Sequence, residues 1–170
     1  MTTLHSAHPS QAGRAIIWGG LLAGIFDLTF AFIYYGPKLG VLQSIAGGLL
    51  GYSGARAGGI TTALLGLLLH FLIALIWAAI FWFSSRLLTL LVRHAVPAGL
   101  LYGLIVFYGM NVVVLPLSAL HTKAWPPSFA FWPVAMHMLI IGLPIALAAR
   151  RFSLAIPSGD STTSSKRSSS

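Results

Sequence analysis

Four stretches of this chain, residues 15–35, 61–83, 97–117 and 131–149, are almost wholly apolar. Crossing ~30 Å of hydrocarbon takes roughly 20 such residues in a helix. In lipid, every backbone N–H and C=O must find its partner within the protein, which leaves helices or closed barrels as spanning structures. Continuous apolar runs of this length suit helices. The fold class expected is therefore an all-α membrane protein with four transmembrane helices. Composition agrees: 57% of the 170 residues are hydrophobic and 7% are charged, whereas soluble domains carry about a quarter charged residues. The chain has no cysteine, so a disulfide scaffold is excluded along with a soluble domain or coiled coil.

A fifth apolar stretch, residues 41–52, is too short to span and contains Gly47, Gly48 and Gly51. It suits a re-entrant or interfacial segment between the first two helices. The alternative is an outward extension of the second helix, against which Gly54, Gly58 and Gly59 argue for a break. Residues 1–14 read as a polar tail without the apolar run of a cleavable signal peptide, so the first span is expected to act as an uncleaved anchor. Residues 15–151 form the transmembrane domain. Residues 152–170 are Ser-rich and read as a disordered, solvated tail.

Basic residues set the expected orientation. With the N-terminus cytoplasmic, Arg14, Arg86, Arg93, Arg150, Arg151, Lys166 and Arg167 lie inside, while Lys38, Arg56 and Lys123 lie outside. This asymmetry favours both termini inside. Trp18 and Trp82 then fall near the inner boundary, and Tyr34, Tyr35, Trp125 and Trp132 near the outer one. The +8 formal charge is scattered over helix ends rather than gathered in a stripe. No nucleic-acid partner is expected; the expected partner is the lipid bilayer, with a homo-oligomer as a way of completing a pathway.

Lipid gives helices no hydrophobic reason to associate, so close approach at small residues matters. Small-xxx-small pairs occur at Gly20/Gly24, Gly36/Gly40, Gly47/Gly51, Gly54/Gly58 and Gly99/Gly103. Helical spacing puts Asp27 on one face with Gly20, Gly24 and Ala31, and His70 with Ala63, Gly66 and Ala74. Pro133, His137 and Pro144 share a face of the fourth span, where Pro144 frees the carbonyl of Ile140. Gly20–Pro37 (GLLAGIFDLTFAFIYYGP) also aligns without gaps on Gly99–Pro116 (GLLYGLIVFYGMNVVVLP). Two parallel hairpin repeats would result, with His70 and His137 in equivalent places.

Each span carries one strongly polar residue away from its ends: Asp27, His70, Asn111 and His137. Helical rise places them roughly 16–21 Å from the inner side, in one layer. A lone Asp at that depth costs at least ~2.5 kcal/mol unless protonated, paired or wet, and a histidine on a neighbouring helix is the expected partner. One reading is a structural network that fixes helix register. The other is a proton or cation relay with Asp27 titrating, His70 and His137 shuttling, and Asn111 as a polar ligand. Zinc ligation lacks supporting local spacing, and His70 with His137 is a minimal signal for bis-histidine haem, one pair across a four-helix bundle; a haem- or metal-binding protein is the least favoured reading, and no metal and no cofactor is expected. No Gly-rich phosphate loop, nucleophile elbow or paired carboxylate is present. His5, His8, His94 and His121 lie in tails or near loops. Gln43, Ser44 and Arg56 place polar groups in or beside the fifth segment.

GLLYG, the MNVVVLPLS run, the PP of the following loop, His137 and the Arg150-Arg151 stop resemble small bacterial inner-membrane proteins and, more remotely, the YagU-like family. The resemblance covers mainly Gly99 to Arg151, with an echo in GLLAG and His70. It implies a bacterial multi-spanning inner-membrane protein and carries no reaction or catalytic residue. The YagU-like pattern has a His near the position of Asn111, and this chain departs from it there. The expected function is a non-enzymatic membrane protein organised by its polar residues; the alternative is a small proton- or cation-coupled transporter using Asp27 with His70 and His137.

Overall fold

A computed structural model describes residues 9–121 and 131–153. The N-terminal histidines His5 and His8, Lys123, Trp125 and the Ser-rich tail lie outside the described residues. Within them there is no strand. Helices α1 (Pro9–Tyr34), α2 (Lys38–Ala57) and α3 (Gly59–Leu87) are followed by a short α4 (Leu90–Arg93). The third span is α5 (Ala95–Tyr108), a π-helical segment Gly109–Val114 and α6 (Leu115–Leu117). The fourth is α7 (Phe131–Met136), a π-helical segment His137–Gly142 and α8 (Leu143–Ser153). Four stretches, Gln11–Tyr34, Gly59–Leu87, Ala95–Leu117 and Phe131–Ser153, are long and apolar enough to cross a membrane. The chain is a multi-pass membrane protein. Its first helix starts at Pro9, several residues before the expected span, inside what the sequence suggested was a polar tail.

Helix α1 packs between α3 and the fourth span, and the fourth span packs in turn on α5. Glycines make these approaches close. A Cβ on Gly20 would lie 3.0 Å from Leu75 Cα, and one on Gly24 would lie 2.9 Å from the Phe71 ring. In the second hairpin, a Cβ on Gly99 would lie 2.9 Å from the Gly142 carbonyl oxygen, and one on Gly103 would strike the backbone at His137 and Met138. These pairings match the aligned repeat. Gly20 against Leu75 corresponds to Gly99 against Gly142, and Gly24 against Phe71 to Gly103 against Met138. His70 and His137 occupy corresponding positions one residue before the second partner.

Segment 41–52 belongs to α2, a separate helix interrupted at Gly51, whose φ of 72° and ψ of 167° are open to glycine but strained for other residues. Gly58 and Gly59 (φ 55°) then separate it from α3. Its apolar turns lie along the start of α3, where a Cβ on Gly66 would collide with the Leu42 carbonyl. Gln43, buried, donates from Nε2 to the Gly59 carbonyl at 3.0 Å, and Thr62 Oγ1 donates to the Ala55 carbonyl at 2.6 Å. The Ala119 amide donates to the Gly48 carbonyl at 2.9 Å, tying α2 to the end of the third span. The arrangement is a broken half-helix covering one end of α3, not an extension of it.

At the other end, Ala15, Trp82, Ala95 and Ala149 share one buried cluster. Arg86 Nη2 donates to Ser153 Oγ at 2.6 Å, and its guanidinium lies 4.6 Å from the centre of the Trp82 ring. Arg14, Arg86, Arg93, Arg150 and Arg151 thus gather at the end of the bundle opposite Lys38 and Arg56. Trp82 departs from the aromatic-belt expectation. It is 2% exposed and fills the core beneath Arg86, whereas Trp18, at 54% exposed, keeps a surface position. A residue near a helix end can face neighbouring helices as readily as lipid, and sequence position alone does not separate the two.

Candidate functional site: an acceptor-lined cavity between the helices

Pro116 and Pro144 have no N–H to offer the carbonyls of Val112 and Ile140, four residues earlier in their helices. Just before each proline the helix widens to a π-turn, with Leu115 N–H bonded to the Met110 carbonyl and Leu143 N–H to that of Met138. These widened turns contain Asn111 and His137. Such π-bulges recur at functional sites because they re-aim side chains without ending the helix.

All four polar residues singled out in the spans, Asp27, His70, Asn111 and His137, line one cavity of about 320 Å³. Ala23, Gly24 and Ala31 of α1 and Ala74 of α3 supply small walls. Phe30, Tyr35, Trp77 and Phe107 supply aromatic ones, and Val41, Ser44 and Ile45 of α2 close a further side. The role of α2 was not legible in the sequence. Ser44 was visible as a polar residue in an apolar stretch, but what brings it to the cavity is the fold of α2 along α3.

The hydrogen bonds overturn one expectation. Neither histidine pairs with Asp27. His70 Nε2 lies 2.9 Å from the Gly24 carbonyl, which is three residues from Asp27 on α1. His137 Nδ1 lies 2.7 Å from the Pro133 carbonyl of its own helix. Asn111 Nδ2 donates to the Phe107 carbonyl at 2.8 Å. A backbone carbonyl has two lone pairs, so one already bonded within its helix can still accept from a side chain, and it competes for donors with a carboxylate farther along the face. Among the described residues, the partly buried Asp27 carboxylate has no hydrogen-bond or ion-pair partner.

Proton positions follow from these partners. A carbonyl oxygen only accepts, so His70 must donate from Nε2 and His137 from Nδ1. In the neutral rings His70 Nδ1 and His137 Nε2 are then acceptors. The Asn111 amide donates through nitrogen and keeps its oxygen as an acceptor. Among the described residues, no Lys or Arg lines the cavity. Beside the Trp77 indole N–H and the Tyr35 hydroxyl, its polar groups offer these lone pairs and one carboxylate, an arrangement suited to a proton, a cation or a hydrogen-bond donor. No three His, Asp or Glu residues converge as metal ligands among the described residues.

No protein-family model, curated protein or solved structure matches the chain.

Proposed function

We propose that this chain is a small, non-enzymatic membrane protein that binds a proton or cation at Asp27 and passes it through the cavity between its helices. The observation that carries this reading is the Asp27 carboxylate, which faces a cavity of about 320 Å³ without a partner among the described residues. A purely structural polar residue is expected to satisfy its hydrogen bonds internally, because an unsatisfied group in hydrocarbon costs several kcal/mol. His70 fits that structural role, since its bond to Gly24 ties α3 to α1. Asp27 does not.

The bilayer is proposed to be a bacterial inner membrane, on the YagU-like resemblance of Gly99 to Arg151. Both termini are placed in the cytoplasm because five arginines gather at one end of the bundle. A periplasm-only reporter fused after Ser170 should be inactive; activity would reverse the orientation. For the site, full-length protein in phosphatidylethanolamine–phosphatidylglycerol vesicles holding a pH-sensitive dye should show a potential-driven pH change. In Asp27→Asn that change should fall to the level of empty vesicles. Undiminished flux in Asp27→Asn would leave only the structural reading of the polar residues.

A further inference from the structure

The cavity is large for a bare ion and poor in the ligands such an ion needs. A water molecule takes about 30 Å³ in the liquid, so about 320 Å³ would hold roughly ten of them. Hard cations such as Ca²⁺ take about 6–8 oxygen ligands. Here the side-chain oxygens on the lining belong to Asp27, Ser44, Asn111 and Tyr35. Most of the wall is aliphatic or aromatic. Its volume falls at the lower end of the about 300–1,000 Å³ common for small-molecule sites.

Three features point to one ligand class. The single carboxylate, without a partner or a cationic side chain on the lining among the described residues, calls for one positive charge. In the neutral rings His70 Nδ1 and His137 Nε2, together with the Asn111 oxygen, are acceptors that call for N–H donors beside that charge. The rings of Phe30, Trp77 and Phe107 and the aliphatic walls call for an apolar body, and aromatic faces attract a desolvated cation as well. We infer that the cavity binds a lipophilic primary ammonium ion, its nitrogen at Asp27 and the acceptors and its hydrocarbon body among the aromatic side chains. This rests on the reading of Asp27 as a cation site and names the cation.

The test uses full-length protein purified in detergent and radiolabelled 2-phenylethylamine in equilibrium dialysis. One saturable site is expected. Affinity should fall at least tenfold in Asp27→Asn, return largely in Asp27→Glu, and fall several-fold in Trp77→Leu. Propylbenzene, which replaces the ammonium by a methyl group, should not displace the amine. Each variant is checked for a helical spectrum and a monodisperse elution, and Asp27→Glu keeps the charge test independent of the fold of Asp27→Asn. Absence of saturable amine binding, with Asp27-dependent proton flux retained in vesicles, would overturn the ammonium assignment and leave the proton or cation reading standing. Equal amine binding by Asp27→Asn and the parent, without Asp27-dependent flux, would overturn both. Competition by propylbenzene as strong as by unlabelled amine would show an apolar site and overturn the assignment.

Discussion

Gly103→Ala tests the close approach that holds His137 in place. Gly103 is buried in α5, where a Cβ would sit 2.7 Å from the His137 carbonyl carbon and closer still to its oxygen and to Met138 Cα. Moving that carbon alone out to ordinary contact at 3.4 Å requires a shift of about 0.7 Å, and the two nearer atoms require more. The opposing atoms are backbone, so no side-chain rotation relieves the contact. Two terms oppose each other. Alanine gains roughly 0.8–1.0 kcal/mol over glycine in helix propensity, whereas overpacking a close-packed interface costs about 1–3 kcal/mol. The clash should win, because the collision falls on two backbone sites together. A net loss of about 1–2 kcal/mol lowers the melting temperature of a chain this size by roughly 2–8 °C. Full-length protein heated in detergent and followed by elution of the folded species reads this directly. Gly13→Ala supplies the control, since nothing lies within 4 Å of a Cβ at Gly13 and only the propensity gain applies. If Gly103→Ala melts with or above Gly13→Ala, the packing of α5 on the fourth span is not as described, and neither is the placement of His137.

Tyr102 donates its hydroxyl to the Trp77 carbonyl at 2.6 Å, while its ring packs edge-on against Phe81 with centroids 4.9 Å apart. Tyr102→Phe keeps the ring and loses only the bond between α5 and α3. Interhelical bonds in membranes average ~0.6 kcal/mol, so the same melting assay should show a drop of a few degrees at most; a rise would refute a stabilising bond. Pro144→Ala returns an N–H to the fourth span and removes the reason for the π-turn that carries His137. Thermal stability should hold or increase while affinity for 2-phenylethylamine falls, and an unchanged affinity would show that the widened turn does not position the site.

The polar residues of the site were legible because hydrocarbon makes them rare. In spans this apolar, Asp27, His70, Asn111 and His137 stand out one to a helix, and helical rise alone puts them at similar depth. Their partners were not legible. Whether His70 meets a carboxylate or a backbone carbonyl depends on differences of a few ångströms in how α3 crosses α1, which the spacing of glycines does not set. Trp82 shows the same limit, since its place near a helix end suits a lipid interface equally well, whereas packing buries it in the core beneath Arg86.

What the amino-acid sequence determined by itself was the number and approximate position of the spans, their all-helical character and the separation of basic residues between the two ends. Each follows from backbone desolvation and charge, which act on local sequence. The glycine repeat was visible too, because close helix approach requires small residues at helical spacing. Only tertiary structure decided that α2 breaks at Gly51 and lies back along α3, and that π-turns before Pro116 and Pro144 carry Asn111 and His137. It also decided that the histidines spend their donors on carbonyls and that Asp27 faces the cavity unpaired among the described residues. Those outcomes depend on which groups meet across helices, where several partners compete for each hydrogen bond and packing selects among them.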